Sequence, residues 1–333
     1  MPALDLYAAQ AGDPAQRWLV QLAQRGSLLV FLAILLGFAV SAPNFISLGN
    51  ISNVFAQSAT LGILALGLTC VVIGGGSNVV SGGLDLSLAA NLGLCAAAYS
   101  SLNNAGFDAW QAIGLTLGCG LLVGAFNGLA VVFLRLPPLL ATLASMNLIA
   151  GLELVLTQNT VLATDSALLD SLASDVWLGI PALAWVLLGV AAVLWLVIQH
   201  SAFGLRLYAI GEYPQAAEAA GLNLRRYVFA SYLIAGGCAA LAAFCSAAFF
   251  SGSTTGSGDM LSVVAIAFLG VVFSRRLIAN IPGTLLATLL LGFLINGFQL
   301  LNISSFWVNG VQGVLILLVV AFSGAFGRRE GEQ

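Results

Sequence analysis

Lysine is absent from the 333 residues, and histidine occurs once, at His200. All ten basic side chains are therefore arginines. The phosphate-binding loop GxxxxGK[ST] needs its lysine to reach the phosphates, so this chain cannot hydrolyse ATP through such a loop. Charged residues make up only 7% of the chain, against about 25% in a soluble domain. The net charge of −3 and the lack of a basic patch exclude nucleic acid as a partner. Cys70, Cys95, Cys119, Cys238 and Cys245 all sit in apolar runs, without a CxxC or Cys/His grouping. No metal site, redox chemistry or catalytic residue is expected from them. A removable signal peptide is not expected either, because the polar start gives way to an apolar run only at Ser27.

What the chain has in abundance is apolar length. Residues of the AVILMFWYC set make up 60%, and the mean hydropathy is +1.04. The fold class read from this is an all-α integral membrane protein without a separate soluble domain. A membrane span takes about 20 apolar residues. Ten candidate transmembrane helices follow: 27–43, 57–74, 84–102, 109–134, 138–157, 180–199, 227–250, 260–274, 283–301 and 306–324. The first, second and eighth are short, and the fourth is long enough to tilt or kink at Gly120 or Gly124. The GxxxG-like glycines, such as Gly120/Gly124 and Gly292/Gly297, read as sites of close helix packing. Residues 1–26 read as a cytoplasmic amphipathic segment on the membrane surface. Asp13-Pro14 starts its helix, and Trp18, Leu19 and Leu22 share a face. Residues 325–333 form a cytoplasmic tail.

The arginines orient these spans. With a cytoplasmic N-terminus, Arg17, Arg25, Arg135, Arg206, Arg225, Arg226, Arg275, Arg276, Arg328 and Arg329 all fall on the inner side. The outer loops hold Asp108, Asp165, Asp170, Asp175 and Asp259 instead. That asymmetry is the positive-inside pattern. It places both termini in the cytoplasm and the 158–179 loop outside.

A repeat is also legible. Gly82-Gly83-Leu84-Asp85 opens the third span and Gly256-Ser257-Gly258-Asp259 the eighth. Asn127-Gly128 lies in the fourth and Asn296-Gly297 in the ninth. The copies are an odd number of spans apart, so the halves, about 27–157 and 180–324, are inverted. Two inverted five-helix repeats are a transporter architecture, with the pathway at their interface.

One polar stretch interrupts the apolar runs: Ser201 to Arg226, SAFGLRLYAIGEYPQAAEAAGLNLRR. Pro214 is suited to a first helical position and Gly221 to the position past the end. The helix between them is too short to be stable alone and needs a partner. Ala216, Ala217, Ala219 and Ala220 offer a small face to it.

This loop resembles the cytoplasmic coupling loop of bacterial ABC sugar-importer permeases, the transmembrane subunits of ribose, xylose, arabinose and galactofuranose importers. The likeness extends over nearly the whole chain from about residue 45. It rests on Asn50-Ile51-Ser52-Asn53-Val54 with Leu61-Gly62-Ile63, on Ser81-Gly82-Gly83-Leu84-Asp85-Leu86-Ser87, and on Gly124-Ala125-Phe126-Asn127-Gly128 before Leu136-Pro137-Pro138. Gly256-Ser257-Gly258 and the stretch from Asn296-Gly297 to Phe306-Trp307 also fit. The chain departs from the pattern at glycines 74–76 through Val80, at Ala150-Gly151 and at Ser274–Gly283.

The resemblance implies a permease subunit that moves a monosaccharide, ribose-like or related, across the bacterial cytoplasmic (inner) membrane. ATP and Mg would be bound by a separate ABC ATPase subunit, and this chain itself would bind no cofactor. An extracytoplasmic sugar-binding protein and a second permease copy, in a homodimer or heterodimer, complete the assembly. Glu212, Pro214, Ala217, Glu218, Ala220, Gly221 and Asn223 would carry the ATPase coupling. The alternative reading is a secondary transporter driven by an ion gradient. Such proteins bury carboxylates at mid-membrane, and Glu153 is the one candidate here.

The remaining site candidates each have two readings. Asp85 and Asp259 either stabilise helix starts or make gating contacts. Asn127 and Asn296 either bond helix to helix or line the sugar path with Phe126, Phe298 and Trp307. His200 reads as an interfacial residue.

Overall fold

Ser47, Asp108, Ser201, Asn223 and Asn280 each begin a helix in the same way: a side-chain oxygen accepts a backbone N–H of the first turn. Such caps satisfy donors that no earlier carbonyl can reach. Pro138, Pro214 and Pro282 stand in first turns, where a missing N–H costs nothing. The computed structural model describes residues 32–76, 82–253, 259–274, 278–304, 307–311 and 313–314. The expected surface helix at 1–26, Gly256-Ser257-Gly258, most of the span at 306–324 and the tail at 325–333 lie outside these residues.

The first half of the chain gives α1 (Leu32–Ser41), α2 (Leu48–Gly75), α3 (Leu88–Asn104), α4 (Ala109–Val132) and α5 (Pro138–Thr157). The loop after α5 then forms α6 (Ala167–Ser174) and a small antiparallel hairpin, β1 (Val176–Trp177) with β2 (Ile180–Pro181). The second half gives α7 (Ala182–Gln199), α8 (Ala202–Glu212), α9 (Pro214–Ala219), α10 (Leu224–Phe250), α11 (Met260–Val272) and α12 (Ile281–Leu300).

Among the described residues, α2, α4, α5, α7, α10 and α12 are long and apolar enough to cross a membrane. α3 has 17 residues and α11 has 13. One expectation needs correction. The second span is not short: it has 28 residues, because Ser47 caps it well before residue 57 and its polar first turns lie on the same helix. The fourth runs as one helix, α4, from Ala109 to Val132. Its Gly120 and Gly124 serve contact. A Cβ on Gly120 or Gly124 would meet the backbone of Gly236 or Tyr232 in α10, the close approach that small residues permit between membrane helices.

α2 and α10 lie at the centre. α2 packs on α10, α7, α11 and α12, while α10 packs on α2, α3 and α4. Ile63, Leu64, Leu66 and Leu68 of α2 are buried, as are Tyr232, Ala239 and Ala243 of α10. α4, α5 and α7 lie outermost, with Leu122, Phe126, Leu140, Leu148, Val155 and Leu196 exposed. An apolar face of this size suits lipid or another protein rather than water. The loop between α5 and α7 is fastened to the end of α3. Asn103 and Asn104 donate to the carbonyls of Asp165 and Ala163, and the Tyr99 hydroxyl lies 2.8 Å from that of Ser166.

Candidate functional site

Asp85 and Asn127, singled out separately in the sequence, meet in the structure. After α2 the chain turns through residues 82–87, and Asp85 lies there, 1% exposed. Its Oδ1 accepts the backbone N–H of Ser87 at 2.9 Å and the Ser87 hydroxyl at 2.6 Å. Asp85 thus builds the turn that launches α3 rather than capping the helix itself. The Asn127 amide of α4 donates to Ser87 Oγ at 2.6 Å and lies 3.5 Å from Asp85 Oδ1. On its other side, Ser145 of α5 donates to Asn127 Oδ1 at 2.6 Å. Thr142 of α5 donates to the carbonyl of Leu84. One buried polar cluster therefore pins the 82–87 turn to α4 and α5. Asp85 Oδ2 and the Tyr232 hydroxyl of α10 are buried beside it without hydrogen-bond partners.

Asn296 is arranged differently. It exchanges two hydrogen bonds with Asn50 in the first turn of α2, at 2.8 and 3.0 Å. Asn50 also donates to the carbonyl of Phe45. Both expected asparagines are thus buried and bond helix to helix within the chain. Phe298 packs edge-on against Phe38, while Phe126 is 50% and Trp307 69% exposed. Phe126 and Trp307 do not join either polar site. Asp259 precedes α11 without a capping hydrogen bond, and Glu153 is buried on α5. Ser87, Ser145 and Asn50 escaped notice as individual residues, although Ser87 and Asn50 lie inside the two motifs.

The polar loop is built onto the central helix. Leu207 and Ile210 of α8 are buried. Cβ atoms on Gly74 and Gly211 would run into Leu207 and into the backbone of Ile73, respectively, so α8 lies against the C-terminal end of α2. The Tyr208 hydroxyl donates to the carbonyl of Ala279, between α11 and α12. Beyond Tyr213 the short helix α9 forms and stops at Gly221, whose φ of +83° suits glycine. Glu212, Pro214, Glu218, Ala220, Gly221 and Asn223 are exposed. Ala217 differs from the other coupling candidates: it is 5% exposed and turned into its own chain. A six-residue helix has room for few inward positions, and Ala217 takes one. Asn223 also accepts the Arg226 N–H and so starts α10.

Comparison with known proteins fits this geometry. The model of the family "Branched-chain amino acid transport system / permease component" matches residues 50–320. The chain belongs to this family. As a permease component it is a transporter subunit, not an enzyme. It is 31% identical to the ribose import permease protein RbsC of Escherichia coli (strain K12), over 91% of this chain and 93% of that protein. It is 32% identical to RbsC of Bacillus subtilis (strain 168), over 89% and 91%. It is 28% identical to the autoinducer 2 import system permease protein LsrC of Salmonella typhi, over 90% and 84%. No solved structure matches the chain.

Proposed function

We propose that this permease is the membrane subunit of an ATP-driven importer for a ribose-like sugar in the bacterial inner membrane. The observation that carries this is its likeness to ribose import permeases across about nine-tenths of both chains. It would span the membrane ten times, in inverted halves at about 27–157 and 180–324, with both termini cytoplasmic. The crossed packing supports the repeat: α2 of the first half sits on α11 and α12 of the second, and α10 of the second sits on α3 and α4 of the first.

A separate ATPase would bind ATP and Mg, and an extracytoplasmic sugar-binding protein would deliver the substrate to a pair of permeases. The exposed side of α9, with Glu212, Pro214, Glu218, Ala220, Gly221 and Asn223, would meet the ATPase. Motion there would pass through α8 to the inner end of α2. The Thr69 and Thr284 hydroxyls, 2.8 Å apart, join α2 to α12 and would carry that motion onward. Asn127 and Asn296 would border the path by holding its helices, with Phe126, Phe298 and Trp307 offering aromatic faces along it.

The test is uptake of labelled ribose into vesicles containing this permease, its neighbouring-gene ATPase and its binding protein. Uptake should require ATP and survive a protonophore. Uptake that stops with the protonophore and ignores ATP would favour the ion-gradient transporter instead.

A further inference from the structure

A cleft of about 500 Å³ opens beside the short cytoplasmic helix, between α8 and the first turn of α10. Phe203 and Tyr227 line it with rings 5.5 Å apart, together with Leu222, Arg206 and Arg226. Among the described residues the lining contains two guanidinium groups and no carboxylate. Arg206 donates to the Tyr227 hydroxyl at 2.9 Å, which fixes its head and engages one of its five N–H donors. The cleft is therefore cationic at its polar part and aromatic at its walls.

Its depth in the membrane follows from the helices that frame it. α10 has 27 residues, about 40 Å at 1.5 Å per residue, whereas the hydrocarbon layer is about 30 Å thick. Its first turn carries Arg225 and Arg226, charges that belong in the headgroup layer rather than the hydrocarbon, so the excess length falls at that end. Phe203 and Arg206 follow directly on the end of α7 at Gln199. The cleft thus lies where two long apolar helices meet the inner membrane surface, and it shares Gly221 and Asn223 with the side of α9 turned to the ATPase.

We infer that this cleft binds the phosphate headgroup of an anionic phospholipid from the cytoplasmic leaflet. The arginines pair with the phosphate, and the aromatic walls lie along the glycerol and upper acyl chains. The inference takes from the proposed function only the side of the membrane. It can be tested on the isolated permease without any ATPase, so the two readings can fail separately.

The experiment is native mass spectrometry of detergent-extracted permease after exchange with vesicles of phosphatidylglycerol or of phosphatidylcholine. Wild type should retain one phosphatidylglycerol in preference to phosphatidylcholine. Arg206→Gln and Arg226→Gln should each weaken retention roughly fivefold, the effect of one arginine near an anionic surface. Arg225→Gln, outside the cleft, should leave retention unchanged, and Arg206→Lys should retain most of it. Equal retention of both lipids, or full retention by the Arg206→Gln/Arg226→Gln double variant, would overturn the inference. So would displacement of the lipid by sodium phosphate alone, which would assign the cleft to a soluble anion. Loss of ATPase association with unchanged lipid retention in the double variant would assign it to a protein carboxylate.

Discussion

Asn127 and Asn296 occupy matching motifs, yet the two halves use them differently. Asn127 is fully buried and bonds to two other segments: Ser87 in the turn before α3 and Ser145 in α5. Asn296 engages a single residue, Asn50, through a reciprocal amide pair. The first arrangement joins three pieces of chain around an acid; the second clasps two helices. Both motifs make a buried polar contact, while the neighbours decide how much depends on it. In a bilayer each amide must find a partner inside the protein, and Asn127 has several packed around it where Asn296 has one residue.

The comparison can be broken most forcefully at its support. Gly236 lets α4 reach α10, and a side chain there would meet the backbone of Gly120 and Gly124. Gly236→Leu should exceed the about 1–3 kcal/mol typical of overpacking, because backbone cannot step aside. Size-exclusion profiles of extracted permease should lose the monodisperse peak; an unchanged peak would refute the packing. Asn127→Leu comes next. It strands the Ser145 hydroxyl and removes the tie to Ser87, at a cost of about 1–3 kcal/mol, read as a lower thermal inactivation temperature in detergent. The smallest effect should come from the second site. A double-mutant cycle on Asn50→Ala and Asn296→Ala should give a coupling of about 0.6 kcal/mol, with about 1.7 as an upper value. A coupling at Asn296 larger than the whole Asn127 effect would reverse the comparison. The topology has its own check: a cysteine at Asp170 should react with an impermeant thiol reagent on intact cells, and one at Arg329 should not.

Much of this was legible in the sequence, for physical reasons. Long apolar runs without charge marked most of the helices, and the glycine spacing marked the α4 contact. Pro214 and Gly221 marked both ends of the short helix. Asp85 and Asn127 stood out because buried polar groups are rare in such runs. Their meeting was not legible, since a contact between residues 42 apart leaves no local pattern. The start of α2 was missed because its first turns carry Asn50, Ser52 and Asn53, which look like loop until Ser47 is seen as a cap. The folding of α6 and the β1–β2 hairpin between α5 and α7 left no signal long enough to read. Nor could sequence orient α9, where alanines lie on every side and nothing distinguishes Ala217, turned inward, from Ala216.

That orientation bears on coupling. Ala217→Trp would unseat α9 from its own chain, whereas Glu218 is exposed and can be changed without touching the packing. The decisive measurement is sugar-stimulated ATP hydrolysis in reconstituted vesicles holding the permease, its ATPase and its binding protein, compared between wild type and Glu218→Arg. The account predicts stimulation in wild type and its loss in the variant, together with loss of uptake, while the permease stays folded and the binding protein keeps its sugar affinity. Equal stimulation and equal ATPase association in both would contradict it and leave α9 a mere connector.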